Sequence, residues 1–172
     1  MNSFIERLSS LNPKTVDARV DVGRGGRPTI TTQELSGALT GCDSNYSELV
    51  INVVHRNPTS SEARVNLVYD CIKQIKSYEK TKAKLFKETK QLNHDESVAL
   101  ANMALDWVIA GFHNENESFA ADRMCLYMSR DKLSTATWRK KYEPIFISVL
   151  DMIHIKLNDV CNQAKENTGI YE

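Results

Sequence analysis

The sequence predicts an all-α fold: a compact helical domain containing a helix-turn-helix, with helical elements ahead of it. Three observations carry that prediction. Apolar residues recur three and four apart through every long stretch from residue 31 onward. The β-branched runs share that spacing, so little strand signal remains. Caps and breakers (Thr31 or Thr32, Gly41, Asn57-Pro58, Pro144) fall between the periodic stretches.

Taken in order, residues 1–30 read as a loosely structured N-terminal segment. A short amphipathic helix over "SFIERLSSL" ends at Pro13, and "GRGGRPT" (23–29) is a flexible cationic turn. The turn lacks the Lys-Ser/Thr ending and the preceding buried strand of a phosphate loop. Residues 31–92 form a first group of helices. "TTQELSGALTG" has Leu35, Ala38 and Leu39 on one face and stops at Gly41. "SNYSELVINVVHR" buries Leu49, Val50, Val53 and Val54. "SSEARVNLVYDCIKQIKSYEK" puts Val65, Val68, Ile72 and Ile75 on a core face and runs on into the lysine-rich "TKAKLFKETKQL".

Residues 93–172 form the remaining body. "HDESVALANMALDWVIAGF" opens with acids that suit its N-terminal dipole. Its apolar stripe is Val98, Ala101, Leu105, Val108, Ile109 and Phe112, with Trp107 in the core. After the polar link "HNENES" comes "SFAADRMCLYMSR", with Ala121, Cys125 and Met128 inward. The last helix, "PIFISVLDMIHIKLNDVCNQAK", has Phe146, Val149, Leu150, Ile153, Leu157 and Val160 on one face.

Composition narrows the function. The 172 residues are 41% hydrophobic and 26% charged, ordinary values for a globular chain. No apolar run is long enough to span a membrane, and the N-terminus lacks a signal-peptide pattern, so a cytoplasmic location is expected. Cys42, Cys71, Cys125 and Cys161 are dispersed without a C-x-x-C pair, as are the four histidines; reduced buried thiols and no metal or other cofactor are expected. No nucleophile elbow, HExxH, kinase or P-loop motif is present, and Glu96, Asp106 and Glu115 are spaced as surface charges, which leaves no enzyme reading.

Net charge is zero, but its distribution is uneven. Residues 73–92 carry seven lysines against two acids, residues 93–118 carry five acids and no Lys or Arg, and residues 119–142 carry six cations against two acids. Local basic blocks on a neutral chain suit one nucleic-acid face beside a protein-facing surface.

The second basic block lies in "LSTATWRKKYEP" (133–144). Ser134 or Thr135 caps a helix that begins near Ala136 and follows the helix of 118–130 after a tight link. In a helix-turn-helix the first turns of the second helix enter the major groove. Thr135, Thr137, Arg139, Lys140 and Lys141 would be the exposed groups there, with Trp138 and Tyr142 packed inward. Pro144 cannot bond back to Lys140, so a kink is expected to separate this short helix from the apolar helix behind it.

Two stretches resemble the Q-type late-gene antitermination proteins of lambdoid phages. "TITTQELSGALTGCDSNYSELVINVVHR" is similar to that family's opening helix pair. "FAADRMCLYMSRDKLSTATWRKKYEPIFISVLDMIHIKLNDVCNQA" is similar to its C-terminal end, with Leu133, Trp138, Pro144 and the Arg/Lys block in the same order. Several members carry a zinc ribbon where this chain has only "HNENES", so the likeness is to the zinc-free branch.

The resemblance implies a protein of the bacterial host cytoplasm. It would bind a double-stranded DNA element at a late promoter, load onto paused RNA polymerase and carry it past terminators. Its partners would be the polymerase flap and the promoter-specificity subunit, with a second protomer in a ring at the RNA exit channel. Thr135, Thr137, Arg139, Lys140 and Lys141 would read DNA, and Arg123, Arg130 and Lys132 would touch its backbone. The helices of 31–92 would contact polymerase and protomer, and Lys80, Lys82, Lys84, Lys87 and Lys90 would line a path for nascent RNA. A promoter-specific DNA-binding regulator that does not travel with polymerase is the alternative.

Overall fold

The computed structural model describes residues 32–55, 59–86, 91–112 and 115–168, which contain helices and no strand. The helices are α1 (Thr32–Ala38), α2 (Ser44–His55), α3 (Ser61–Phe86), α4 (His94–Ala110), α5 (Glu117–Met128), α6 (Thr135–Thr137) and α7 (Glu143–Thr168), with a π-helical turn, Trp138–Tyr142, joining the last two. The all-α expectation is met. The expectations for residues 1–30, the Thr31 cap, the Asn57-Pro58 break and the start of "HNENES" fall outside the described residues.

Helix ends follow local chemistry. Asp43 caps α2 by accepting from the Asn45 and Tyr46 amides at 3.0 and 3.2 Å. Asn93 caps α4 through a reciprocal box: its side chain accepts from the Glu96 amide at 2.8 Å while the Glu96 carboxylate accepts from the Asn93 amide at 3.2 Å. At the other end Gly111 adopts φ 70°, and the Phe112 amide reaches back to the Trp107 carbonyl at 3.2 Å, a closure that favours a residue without a Cβ.

The core is one cluster running from Leu35 in α1 to Ala164 in α7. Helix α4 is its axis. Leu100, Ala101, Ala104, Leu105, Trp107 and Val108 are buried on several sides, as α4 packs against α2, α3, α5 and α7. Helix α7 buries Phe146, Val149, Ile153, Leu157 and Val160 as expected; Leu150 is only partly buried, and Ala164 extends the buried face. On α3 the face differs from the sequence expectation. Val65 is 67% exposed, and Ala63, Leu67, Cys71 and Ile75 make the seam, with Ile72 beside it. Val65 and Leu67 both belong to apolar series, and packing against α4 and α7 turns the second inward; Arg64, beside Val65, bonds across to Asn102 and Asp106 on α4.

Rings of four elements meet in the core: Trp107 makes edge contacts with Phe112, Phe119 and Phe146 at centroid distances of 5.2, 5.6 and 5.2 Å, and Trp138 contacts Phe146 at 5.4 Å.

Pro144 does not separate two helices. Hydrogen bonding passes from α6 through the π turn into α7, and the Glu143 amide donates to the carbonyl of Trp138, five residues back. The wider turn gives the proline ring room where an α-helical turn would set it against the Lys140 carbonyl.

Replacing Ile153, which is fully buried, with Ala is expected to lower stability by about 2–5 kcal/mol in chemical denaturation. Val65→Ala, on the solvent side, should stay within about 0.5 kcal/mol of the parent protein.

Candidate nucleic-acid interface

The basic stretch starts where α5 ends. Ser129 closes α5 in the left-handed conformation, φ 51°, with the Arg130 amide donating to the Cys125 carbonyl at 3.0 Å. Residues 129–134 then lead to α6, a link longer than the three- or four-residue turn of a helix-turn-helix. Ser134 is the cap: its hydroxyl oxygen accepts from the Thr137 amide at 3.1 Å. Trp138 and Tyr142 are buried and stacked 6.2 Å apart at 20°. Their burial leaves the residues between and before them on the outside.

The eight residues read as DNA contacts fall into different environments. Lys132, Thr135 and Lys140 are exposed, and neither lysine has an ion-pair partner among the described residues. Thr137 is exposed, its hydroxyl 2.9 Å from that of Ser134. Arg139 forms a two-pronged bond with Glu117 at the start of α5, which lowers that carboxyl and raises the guanidinium. Arg123 lies apart from this group, its guanidinium over the Phe112 and Phe119 rings at 5.2 and 5.4 Å.

Lys141 and Arg130 converge on Glu96. Glu96 Oε1 accepts from Lys141 Nζ at 2.6 Å and from the Tyr142 hydroxyl at 2.7 Å, and Arg130 Nη2 lies 3.6 Å away. Glu96 is 5% exposed, which corrects its reading as a surface charge. Burial alone would raise its pKa, but the bonds from Lys141, Tyr142 and the Asn93 amide outweigh it and hold the carboxyl below its ordinary value. The signal for this residue was present in the sequence as Asn93-x-x-Glu96, a capping-box pattern.

Asp106 is likewise committed inside the molecule. It binds Arg64 through both guanidinium nitrogens at 2.8 and 3.0 Å and accepts from the Tyr127 hydroxyl, tying α3, α4 and α5 together. Burial, then Asp106, push the Tyr127 phenol upward. Beside it lies a cleft of about 270 Å3 lined by Met103, Asp106, Trp107, Ala110, Phe112, Arg123 and Tyr127.

The lysines read as an RNA path sit at the end of α3. Lys80 and Lys84 are exposed, and Lys82 lies over the Tyr78 ring at 5.8 Å. Glu79 accepts from the Leu92 amide, so the returning chain meets α3 there and residues 80–86 extend past the meeting point. Lys87 and Lys90 lie outside the described residues.

Among the described residues no helix is long and apolar enough to cross a membrane. No family model, curated protein or solved structure matches the chain.

The Glu96 bonds set a pH window for stability. Its folded value lies below the ordinary 4.5, so its contribution is complete above 4.5 and is lost as pH falls through the folded value. Lys141 is raised above 10.5, so its contribution is complete below 10.5 and is lost as pH rises through its folded value. Urea midpoints measured across pH should show a plateau between those limits. Glu96→Gln should flatten the acid-side decline.

Proposed function

We propose that the protein is a DNA-binding transcription antitermination factor. It binds a double-stranded element at a late promoter, loads onto paused RNA polymerase and makes it read through terminators. The observation that carries this reading is the start of the helical rod at Thr135. There hydroxyls and cations project outward while Trp138 and Tyr142 anchor the same turn in the core. The likeness of residues 29–56 and 119–164 to the Q-type late-gene antitermination proteins supplies the rest.

In this reading Thr135, Thr137, Arg139 and Lys140 face the major groove, and Arg123, Arg130 and Lys132 meet the DNA backbone. Lys141, bound to Glu96, joins the backbone contacts. Arg139 must exchange Glu117 for a base. The ion pair is exposed and screened by water, so it competes weakly with a two-point arginine–guanine contact in a groove. Helices α1–α3 face polymerase, through its flap and promoter-specificity subunit, and a second protomer. The overhanging Lys80, Lys82 and Lys84 attract nascent RNA. The protein acts in the cytoplasm of the bacterial host, and obstruction of the space where a terminator hairpin forms is sufficient for its activity without an active site.

In-vitro transcription from a template carrying the late promoter and a downstream intrinsic terminator tests this. Readthrough should rise with the wild-type protein, require the upstream DNA, and return to background with Arg139→Ala/Lys140→Ala. Specific DNA binding without readthrough would instead identify a promoter regulator that does not travel with polymerase. Lys132→Ala alone should weaken DNA binding evenly across sequences and lower the salt dependence by about one unit of slope.

A further inference from the structure

One oxygen of Glu96 organises two cations that come from different elements. Arg130 belongs to the link after α5, and Lys141 to the π turn ahead of α7. Both approach Oε1, so Lys141 Nζ and Arg130 Nη2 are no farther apart than the 2.6 and 3.6 Å contacts laid end to end. The carboxylate is consumed within the molecule, since Tyr142 shares Oε1 and the Asn93 amide takes Oε2. The cations are not consumed: their side chains remain 36% and 49% exposed, and each keeps further N–H donors. One anion beneath two cations leaves a net positive charge at the surface. A phosphate group with several acceptor oxygens matches two such donors at short spacing.

We infer that Glu96 is a positioning residue that holds Arg130 and Lys141 as a two-point clamp for a backbone phosphate of duplex DNA. The inference rests on the DNA-binding reading and deepens it. Lysine and arginine lose rotamer freedom when they grip a phosphate, and side chains already held from below have lost much of it before binding. Glu96 thus strengthens DNA binding although its own charge opposes it.

That opposition makes the sign of one measurement decisive. A fluorescein-labelled duplex of mixed sequence is titrated by anisotropy over a range of salt concentrations. The proteins are wild type, Glu96→Gln, Arg130→Gln/Lys141→Gln and the triple variant. Glutamine keeps one acceptor oxygen, which can serve Tyr142, and gives up the one that accepts from the Asn93 amide. Glu96→Gln should weaken binding several-fold and make its salt dependence shallower, despite the added positive charge. The double variant should lose about one to two units of salt slope, and adding Glu96→Gln to it should cause no further weakening.

Binding by Glu96→Gln as tight as or tighter than wild type overturns the clamp and leaves the DNA reading standing. Weakening that persists in the double background overturns it too, because Glu96 would then act through something other than the two cations. If Glu96→Gln does not fold, the double variant decides: wild-type affinity and slope there overturn the clamp. Wild-type protein that binds no duplex at any salt overturns the DNA reading and the clamp together.

Discussion

The arrangement of the basic end depends on a carboxylate placed where water cannot reach it freely. Glu96 first closes the N-terminus of α4, the helix at the centre of the core, and the same side chain then receives Tyr142 and Lys141 from the π turn and Arg130 from the α5 link. A buried anion without partners would cost several kcal/mol, so its neighbours must stay in place while it remains charged. The core helix and the surface stretch are therefore coupled by charge as well as by apolar packing. Trp138 supplies the apolar half of that coupling by leaning on Phe146 and, through it, on Trp107.

Much of the fold was legible because helical spacing is a local property. The seams of α1 and α7 could largely be read from intervals of three and four, and Trp138 and Tyr142 were placed inward by their separation alone. On α2 Leu49 and Val50 are buried as expected, but Val53 and Val54 are only partly buried and Tyr46 and Asn52 take inner places. The errors have a common source in long-range partners. Val65 and Leu67 each sit in an apolar series, and packing against α4 and α7, distant in the chain, selects the second. Glu96 looked like a surface acid because Lys141 lies 45 residues away in the chain; Asp106 is a partly exposed acid whose cation, Arg64, lies 42 residues away. For Glu96 the capping box offered a local clue; for Asp106 nothing comparable exists. The basic candidates at 119–142 were legible as a group, but their division into exposed side chains and internally bonded ones depended on acids contributed by α4 and α5.

Arg139 and Lys140, adjacent in sequence, show how much that division matters. One is bonded to Glu117 and the other is exposed without an ion-pair partner among the described residues. A ligand arriving at Lys140 meets a charge with no internal competitor, whereas at Arg139 it must first replace a carboxylate. Composition gives both residues the same weight, and geometry gives them different thresholds.

The π turn sets the phase of the rod. A turn that bonds five residues back holds one residue more than the α-helical turn it replaces, and each α-helical residue advances the side-chain direction by about 100°. Thr135 and its neighbours are consequently rotated relative to α7 by an angle that the apolar periodicity of α7 does not encode. The outward face at the start of the rod therefore owes its direction to the widened turn as well as to α7. Because Trp138 and Tyr142 lie within that turn and are buried, the direction is held by the core, with Pro144 just past the turn.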